Sequence, residues 1–480
     1  MSVLSELNKG LGKLERLHRR YFAPQPVYPW HLPDIMRKHI YTGAMGNVWG
    51  TLIAGVFLVH FANAIGMPRS HWGLLNGSIA LLATAQLLSA YLTTRVRVRK
   101  MMWFYTAVAE RVLRLAAILV AWWLWRAGSI HAGLALIAIT CVAVLFGWMA
   151  GPPWYSWLGD IIPEKKHGWF WGRRSAWVAV AVVSVAVPAA LVVDRIPSAW
   201  ELRAVLIIFI AATVIGLADL LIHGTIPEPP MHTQEKRNFI AEILTPIRDR
   251  RFRPWLLFDQ CWAFSLMLGA SLATQFWMDT KDGGLGLGTY LVGSMIVLQA
   301  LPLVGSIFTS AWSGRLVDRI GIKPVLLWGQ VFWSILPVLW IIAKPGWSAF
   351  VLLGLSSLIG GTSSTAAATA ANKLVTRFPR PALRATYVAV DSWLANLAGA
   401  LGSFVAFLAA EAFGRWHWTV AGRSFGVIHV LFLASMVLRL TATLVLVPRI
   451  RTPDEVPESV PAAAPAAPVA VPQPVAEAAR

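Results

Sequence analysis

The sequence predicts an all-α polytopic membrane protein, with twelve transmembrane helices arranged as two six-helix halves. Of its 480 residues, 57% are hydrophobic and 14% are charged, and the mean hydropathy is +0.60. Soluble domains contain about 45–50% apolar and about 25% charged residues, so this composition argues against an ordinary soluble enzyme. Apolar runs of about 20 residues, the length that carries a helix across the hydrocarbon core, recur along the chain. They show no alternation of period two, which indicates helices rather than strands of a membrane barrel.

Twelve apolar runs follow one another and are numbered as spans one to twelve. They cover residues 44–65, 73–94, 102–125, 132–154, 175–193, 204–222, 254–278, 290–312, 324–343, 348–371, 386–410 and 424–447. The longest central loop separates spans six and seven, so it divides the chain into two halves. The predicted domains are an N-terminal segment (1–43), a first half (44–222), a central cytoplasmic loop (223–253), a second half (254–448) and a C-terminal tail (449–480).

The two ends of the chain have different compositions. Leucines recur every three or four residues near the N-terminus, with basic residues between them (Leu4, Leu7, Leu11, Leu14 and Leu17). This spacing predicts an amphipathic helix on the inner membrane surface, and a solvated, frayed terminus is the alternative. After Arg451 a proline occurs about every four residues among Ala and Val, which predicts a disordered, extended tail.

The basic residues are distributed asymmetrically. The chain has 42 Lys and Arg against 23 Asp and Glu, a net charge of +19. Of these 42, 31 lie on the side of the bundle that holds both termini, eight on the opposite side and three within spans. The positive-inside rule therefore predicts that both termini lie in the cytoplasm, and no nucleic-acid partner is needed to explain the charge. The expected location is the plasma (cytoplasmic or cell inner) membrane. Cys141 and Cys261 both lie in apolar runs, where no disulfide framework or CxxC metal site is expected.

The short loop between spans eight and nine carries a recognisable motif. It reads Gly314, Asp318, Arg319, Gly321 and Lys323 at the spacing G-x-x-x-D-R-x-G-x-K. The glycines allow a tight turn, and the aspartate can accept bonds from a helix N-terminus or an arginine. This loop closely resembles the one found in the major facilitator superfamily, and the resemblance covers roughly residues 40 to 450.

The resemblance implies two six-helix halves that arose by duplication, held together on the cytoplasmic side by this loop. A second loop, from Pro163 to Arg174, is similar to the P-E-x-x-R-G-x-x-x-G-R-R loop of the superfamily, with His167 at the first Arg position. The resemblance implies that Asp318 faces Arg173 and Arg174 at the start of span five. Alternatively, these arginines set topology and bind lipid phosphates.

The matching loop of the first half departs from the pattern. Ala90, Thr94 and Arg97 stand where the second half has Gly314, Asp318 and Gly321. The positive charge is kept and the acid is missing. The contact between the halves that this loop forms is therefore expected to be weaker or to use other residues.

Charged residues inside a span are costly, at about 2.5–3.5 kcal/mol near mid-bilayer, so they are candidates for function. Span three contains Glu110, Arg111 and Arg114. Glu110 and Arg114 are four residues apart, in the order that favours an ion pair. Arg111 has no acid nearby in sequence and is predicted to bind an anion or the carboxylate of another span. The sequence leaves open whether this group fixes packing or couples transport to an ion.

Further ionisable residues lie in later spans. Asp219 and Asp259 are near the cytoplasmic ends of spans six and seven, where gating or anchoring is expected. Asp391 lies about one turn into span eleven, and the sequence leaves capping and coupling open. Arg439 in span twelve has no local partner, so one of these acids is its expected partner. Asp391 and Arg439 join the three charges of span three as candidates for coupling.

In the superfamily, spans one, four, seven and ten line a central cavity. Their polar and aromatic side chains are therefore the candidates for binding substrate: Asn47, His60, Asn63, Trp148, Gln260, Trp262, Gln275, Thr362 and Thr365. Amides, hydroxyls and aromatic faces favour a sugar-like polar solute. Two alternatives stay open: the hydroxyls beside Gly360 and Gly361 also allow close helix packing, and one carbonyl could satisfy His60. Most other tryptophans, including Trp103 and Trp154, are predicted to form interfacial aromatic belts.

The resemblance implies a secondary transporter that moves a small organic solute by alternating access, driven by a proton or sodium gradient. It would work without a cofactor, as a monomer among membrane lipids. No GxxxxGK[ST] motif is present to bind ATP. One alternative is an exporter or flippase of drug-like or lipid molecules on the same fold. The other is a membrane-embedded enzyme with a lipid-linked substrate, for which the sequence has neither HExxH nor GxSxG.

Overall fold

The chain is an integral membrane protein, and its computed structural model is almost entirely helical. The structure describes residues 21–95, 99–230, 239–279, 283–377, 384–420 and 423–451. The predicted amphipathic helix before residue 21 and the proline-rich tail after residue 451 lie outside these ranges. Within them, eleven helical segments are long and apolar enough to cross a membrane. The remaining predicted span, span three, is not among these eleven. It is a helix of 28 residues from Arg99 to Arg126 and contains the three charged residues noted above.

The helices of the two halves follow the predicted order. In the first half, spans one to six are Leu32–Ile53 with Gly55–Ala64, Ser70–Leu82 with Ala85–Arg95, Arg99–Arg126, Ala132–Ile161, Glu164–Arg195 and Ser198–His223. In the second half, spans seven to twelve are Arg253–Met278, Leu291–Met295 continuing to Leu301–Ile320, Ile322–Ile342, Trp347–Arg377, Arg384–Phe413 and Val427–Leu446. A short helix, Phe239–Arg248, lies in the central loop.

Several helices extend beyond the apolar runs that predicted them. Span one begins at Leu32, well before residue 44. A hydropathy criterion misses its first turns because they carry Asp34, Arg37 and Lys38. Arg37 and Lys38 both pair with Asp34, which supports this polar first part of the helix. Hydropathy therefore locates the membrane-embedded part of each helix and misses its polar ends.

A small β-hairpin precedes span twelve, where the sequence predicted a loop up to residue 423 and the start of a helix at residue 424. Strand β1 (His417–Val420) pairs antiparallel with strand β2 (Arg423–Gly426). Trp418 and Phe425 are directly opposite each other, and their rings stack with centroids 6.1 Å apart. Such cross-strand aromatic pairs stabilise a hairpin.

The end of the bundle that contains Arg99, Arg173 and Arg319 is called the basic end. The other end, which contains Arg69 and the hairpin, is called the opposite end. Within the first half, span one packs against spans five and six, and span three packs along span four. Within the second half, span seven packs against spans eleven and twelve, and spans eight and nine pack against span ten. Spans two and eleven, and spans five and eight, join the halves.

Two helices are irregular where the halves meet. Span one breaks at Ala54, which is extended (φ −135°, ψ −160°), and continues at Gly55 with φ +54°. Span eight contains a π-helical turn at Ile296–Ala300. The amide nitrogen of Gln299 lies 3.2 Å from the point that a Cβ on Gly55 would occupy. The two irregular segments therefore touch, and only glycine suits the backbone of span one there.

Candidate functional site

A polar cavity of about 240 Å³ lies inside the first half. Spans one, three, four, five and six all contribute to its wall. Four charged side chains line it: Glu110, Arg111, Arg174 and Asp219. Since charges inside a membrane protein are costly unless they are paired or functional, this cavity is the leading candidate for a functional site.

Two ion pairs meet around one tryptophan beside the cavity. Arg111 Nη2 lies 2.7 Å from Asp219 Oδ2, and the two side chains are only 9% and 7% exposed. Arg114 Nε lies 3.1 Å from Glu110 Oε1, so the structure contains the pair that the four-residue spacing predicts. The guanidinium carbons of Arg111 and Arg114 lie 4.5 and 5.8 Å from the ring centroid of Trp49. The indole gives both cations a favourable π face in a site where water is scarce.

Four helical glycines make room for these side chains. At each of them an added Cβ would come within 2.5–2.8 Å of an atom of a neighbouring side chain, closer than real Cβ contacts allow. The glycines and their neighbours are Gly43 with Arg174, Gly46 with Asp219, Gly147 with Glu110, and Gly216 with Trp49. Glycine inside a helix costs about 1 kcal/mol relative to alanine. These four glycines therefore lower the stability of their helices, and in return they leave room for the charged side chains.

A buried histidine closes the basic side of the cavity. Trp154 Nε1 donates to His223 Nε2 at 3.0 Å, and His223 Nδ1 lies 2.7 Å from Thr42 Oγ1. Since an indole only donates, His223 Nε2 accepts and Nδ1 carries the proton of the neutral ring. The Thr42 hydroxyl in turn donates to the Lys38 carbonyl at 2.9 Å. Trp154, which the sequence assigned to an aromatic belt, therefore holds a side chain of the cavity.

His39 lies beside this histidine. Its ring centroid is 4.4 Å from that of His223, with the rings nearly perpendicular. The side chain is buried, and neither ring nitrogen has a hydrogen-bond partner in the described part of the chain. Buried polar atoms without partners are rare, so this position is held by the aromatic packing around it.

Polar contacts join the two halves at the opposite end. Arg69 Nη2 lies 3.0 Å from Asp279 Oδ2. The carboxylate of Asp194 accepts hydrogen bonds from the backbone N–H groups of Leu291 at 2.7 Å and Val292 at 2.8 Å, which begin span eight. All three acceptor–donor contacts cross from one half to the other. They close the bundle at this end with bonds that water can replace.

Three of the predicted cavity residues lie in this closed end. Asn63 Oδ1 accepts a hydrogen bond from Gln275 Nε2 at 3.4 Å across the halves, and Gln275 also donates to Asp279 at 3.2 Å. His60 Nε2 lies 2.9 Å from Glu201 Oε1. The structure thus separates these residues from Asn47, which lines the charged cavity.

The other predicted cavity residues pack between helices. Trp148 Nε1 donates to the Ile79 carbonyl at 3.0 Å. Thr362 donates to the Ile359 carbonyl of its own helix at 2.8 Å, and Thr365 donates to Ser306 of span eight at 2.9 Å. The Thr365 hydroxyl joins spans eight and ten, in keeping with the packing alternative.

The second half contains a different arrangement around its buried arginine. Arg439 is 1% exposed and donates to the carbonyls of Trp333 and Ser435, both at 3.3 Å. Backbone carbonyls therefore take the place of the acid that the sequence suggested as its partner. Its guanidinium carbon lies 5.6 Å from the ring centroid of Trp262. Each half thus places an arginine over a tryptophan of its own first span, Trp49 or Trp262.

The acids of the second half lie near the basic end. Asp391 Oδ1 accepts a hydrogen bond from Trp255 Nε1 at 3.0 Å, and its charge interacts with that of Asp259. Neither amide atom of Gln260 has a hydrogen-bond partner in the described residues. The Trp255–Asp391 hydrogen bond links spans seven and eleven, whereas the interaction between Asp259 and Asp391 is one between like charges.

The loop motif between spans eight and nine forms the turn that its glycines predict. Gly321 has φ +91° and ends span eight, directly after Arg319 in its last turn. Asp318 Oδ1 lies 2.5 Å from Lys373 Nζ of span ten, an ion pair that the sequence did not predict. Around Gly314 an added Cβ would meet open space.

The two arginines predicted to face this loop point differently. Arg173 is exposed at the start of span five, whereas Arg174 lines the charged cavity. Their pairing with Asp318 stays a prediction.

Sequence reasoning missed Thr42 and His223, which line the cavity, and Trp49, which lies beside it. The signal that could have found the site is the set of glycines inside otherwise apolar helices. Gly43 and Gly46 are one turn apart on span one, and an interior helical glycine usually has a packing or functional reason.

The family model described as Major Facilitator Superfamily matches residues 285–477. No curated protein matches the chain. Among solved structures, the nucleoside transporter NupG is similar with a TM-score of 0.62, 14% identity and coverage of 87% of this chain and 99% of that one. A D-xylose-proton symporter gives a TM-score of 0.60, 15% identity and coverage of 86% and 97%. A bacterial homolog of the human lysosomal transporter Spinster, inward-facing and occupied, gives a TM-score of 0.57 and 16% identity. The match covers 88% of this chain and 95% of that one. At these identities the likeness establishes a common fold.

Proposed function

We propose that the chain is a secondary transporter of the major facilitator superfamily, whose family model matches residues 285–477, and that it moves a small organic solute across the membrane by alternating access. The two halves rock about a site between the ends of the bundle and expose it to each side in turn. A proton or sodium gradient supplies the energy.

The observation that carries the proposal is the set of polar contacts that closes one end of the bundle. Arg69 with Asp279, and Asp194 with the start of span eight, join the halves by individual bonds between small groups. These contacts can be exchanged for water, and they lie beside apolar packing of span two against span eleven. Both the polar bonds and this packing must part for the halves to separate at this end, as alternating access requires.

The charged cavity supports coupling to an ion. Glu110, Arg111 and Arg114, the predicted coupling residues of span three, all belong to one cluster with Asp219 and Trp49. Binding a proton or a sodium ion at either carboxylate would release its arginine partner. An ion-dependent rearrangement of these pairs would change how spans one, three and six pack against one another.

The proposed orientation places the basic end and both termini in the cytoplasm of a cell with an inner membrane, since the basic loops stay on that side. The closed end then faces outward. In this orientation the cavity of the first half lies on the inner side of the closure. The transporter is proposed to work as a monomer surrounded by lipid.

Uptake into liposomes tests the proposal. Purified protein is reconstituted, and a pH or sodium gradient is imposed in the presence of radiolabelled sugars, organic acids, amino acids and nucleosides. Gradient-dependent accumulation of at least one solute is expected. If no solute moves under either gradient, although the protein is folded and oriented in the bilayer, the proposal is wrong.

The coupling residues are tested in the same liposomes. Glu110→Gln and Asp391→Asn should each abolish accumulation driven by the gradient and leave exchange of labelled for unlabelled solute intact. Glu201→Gln, which changes an acid near the closed end, is the matched control and should keep accumulation. Accumulation by both Glu110→Gln and Asp391→Asn would remove these acids from the coupling mechanism.

A further inference from the structure

We propose that residues 55–82, the parts of spans one and two toward the opposite end with the loop between them, form a gate that moves relative to the rest of the first half. This segment is called the gate hairpin. The inference rests on the proposed function and adds the element that opens the closed end. It is carried by the two helix breaks that bound the gate hairpin and by the direction of its contacts.

Each end of the gate hairpin lies at a break in a helix. In span one the helix breaks at Ala54 and resumes at the next residue, as described above. Span two consists of two helices, Ser70–Leu82 and Ala85–Arg95, joined by Ala83 and Thr84. The N–H groups of these two residues donate to carbonyls three residues earlier, both at 3.2 Å. Such 3₁₀-type bonds in the middle of a helix often mark a hinge.

Polar side chains of the gate hairpin bind the second half. The bonds of Asn63 and Arg69 to span seven and to the residue after it are described above. Asn76 Nδ2 donates to the Ser271 carbonyl of span seven at 2.8 Å. Ser70 Oγ donates to a carboxylate at the end of span eleven. The gate hairpin therefore supplies much of the polar closure at the opposite end.

The gate hairpin also packs tightly against span eleven of the second half. An added Cβ on Gly73 would lie 2.9 Å from the backbone nitrogen of Phe407, and one on Gly77 would lie 2.9 Å from the ring of Phe404. The two glycines are one turn apart, and small residues of this kind let helices approach closely. The helix of span two in the gate hairpin is therefore fitted to the second half.

On the basic side of its break, span two bonds within its own half. Ser89 Oγ donates to the Met149 carbonyl of span four at 2.6 Å. The gate hairpin also touches its own half, through the contacts of His60 and Trp148 described above and through Met67 in its loop. A first half that moves as a rigid body would keep these contacts in every state, whereas a moving hairpin changes them.

A disulfide between the gate hairpin and span four separates these two cases. Met67→Cys with Gly133→Cys places two Cβ atoms 3.5 Å apart, a distance that a disulfide can span. This disulfide is called the within-half lock. It joins two residues of the first half, so it has no effect if that half is rigid, and it holds the gate hairpin in place if the hairpin moves. Met67→Ser with Gly133→Ser is the matched control, which changes the same positions without a cross-link.

Labelling of a buried cysteine measures opening without knowledge of the solute. Ser271 is 4% exposed, on span seven, where Asn76 of the gate hairpin binds its carbonyl. Ser271→Cys, with Cys141 and Cys261 replaced by alanine, should react with a membrane-impermeant maleimide only when the closed end opens. The within-half lock should slow this reaction several-fold, and the serine control should leave it unchanged. An unchanged rate with the disulfide fully formed would overturn the inference.

A second disulfide keeps this inference apart from the proposed function. Gly73→Cys with Phe407→Cys joins the two halves, and its Cβ atoms lie 3.0 Å apart, slightly closer than in a relaxed disulfide. This cross-half lock should stop labelling at position 271 and solute exchange in liposomes whether or not the gate hairpin moves alone. If the cross-half lock slows labelling and the within-half lock does not, the halves open as rigid bodies and the inference is wrong. If neither lock affects labelling or transport, the proposed function fails as well.

Thr84→Val tests the break in span two without a cross-link. The Thr84 hydroxyl donates to the Leu81 carbonyl, a bond back to the helix backbone that favours bending. Valine keeps the branched shape and lacks the hydroxyl, so labelling at position 271 should slow while the Tm is maintained. Thr93→Val is the matched control, because Thr93 donates to the Ser89 carbonyl at 2.7 Å in the part of span two that stays in place. Equal labelling rates in the two variants would show that the break does not act as a hinge.

Discussion

Asp194 accepts a hydrogen bond from the backbone N–H of Leu291 at 2.7 Å, and so a side chain of the first half caps a helix of the second half. The first N–H groups of a helix have no partner within the helix, and the helix dipole favours a negative charge there. The N-terminus of span eight depends on the other half of the molecule for this bond. Opening the bundle at this end must break it.

Asp194→Asn should weaken the closure at the opposite end. The amide keeps the size of the side chain and loses the charge, which makes its bonds to the span eight backbone weaker by about 1–2 kcal/mol. A cysteine introduced by Ser294→Cys, at a buried position of the helix that Asp194 caps, should then react several-fold faster with a membrane-impermeant maleimide. The native cysteines, Cys141 and Cys261, are first replaced by alanine.

Asp34→Asn is the control for that experiment, since this acid forms ion pairs at the basic end. It should leave the maleimide rate unchanged. A rate that is the same in wild type and in Asp194→Asn would show that the cap contributes nothing to closure.

Arg69 and Asp279 should contribute to the same closure as a pair. Their ion pair spans 3.0 Å, and the side chains are 14% and 17% exposed, so water screens it only in part. Arg69→Asp alone should accelerate maleimide labelling, because it places two acids side by side. The exchanged double variant, Arg69→Asp with Asp279→Arg, should recover at least part of the closure, with a coupling energy of about 0.5–3 kcal/mol in a double-mutant cycle. A double variant that labels as fast as Arg69→Asp would mean that the pair does not act as a unit.

Local spacing predicts one of the two ion pairs beside Trp49 and misses the other. Glu110 and Arg114 are on one helix, so a separation of four residues suffices to place them together. Arg111 and Asp219 are 108 residues apart, and their contact depends on how spans three and six are rotated and packed. No periodicity within a single span contains that information.

Hydropathy likewise predicts where the spans lie in the sequence, but it does not predict which face of each helix points into the bundle. Trp154 lies at the end of an apolar run, where an interfacial belt is the usual interpretation, yet its indole binds His223 inside the bundle. Asn63 and Gln275 have the amides that a sugar site would use, yet they bond each other across the closed end. The composition of a span therefore tells which residues are polar, and tertiary packing decides which of them meet in a cavity.

Asp219→Asn should destabilise the protein more than removal of the whole pair. The single change leaves the buried Arg111 guanidinium without its carboxylate, which typically costs about 3–5 kcal/mol when one member of a buried pair is removed. The double variant Arg111→Gln with Asp219→Asn removes both charges and should recover much of that loss. Thermal unfolding in detergent measures the difference. A double variant that is less stable than Asp219→Asn would show that Arg111 stabilises the fold through Trp49 and not through the ion pair.

Gly147→Ala should impair the charged cluster although it adds a single methyl group. The new Cβ would lie 2.5 Å from the carboxyl carbon of Glu110, so the carboxylate must move away from Arg114. Gly159→Ala, about three turns further along the same helix and outside the cavity, adds the same group into open space, and its higher helix propensity should make it neutral or stabilising by up to about 1 kcal/mol. Thermal unfolding and liposome uptake should therefore separate the two variants, with stability and gradient-driven uptake reduced only in Gly147→Ala. Equal behaviour would mean that the glycine at position 147 does not position Glu110, and that the space around the cluster tolerates a side chain.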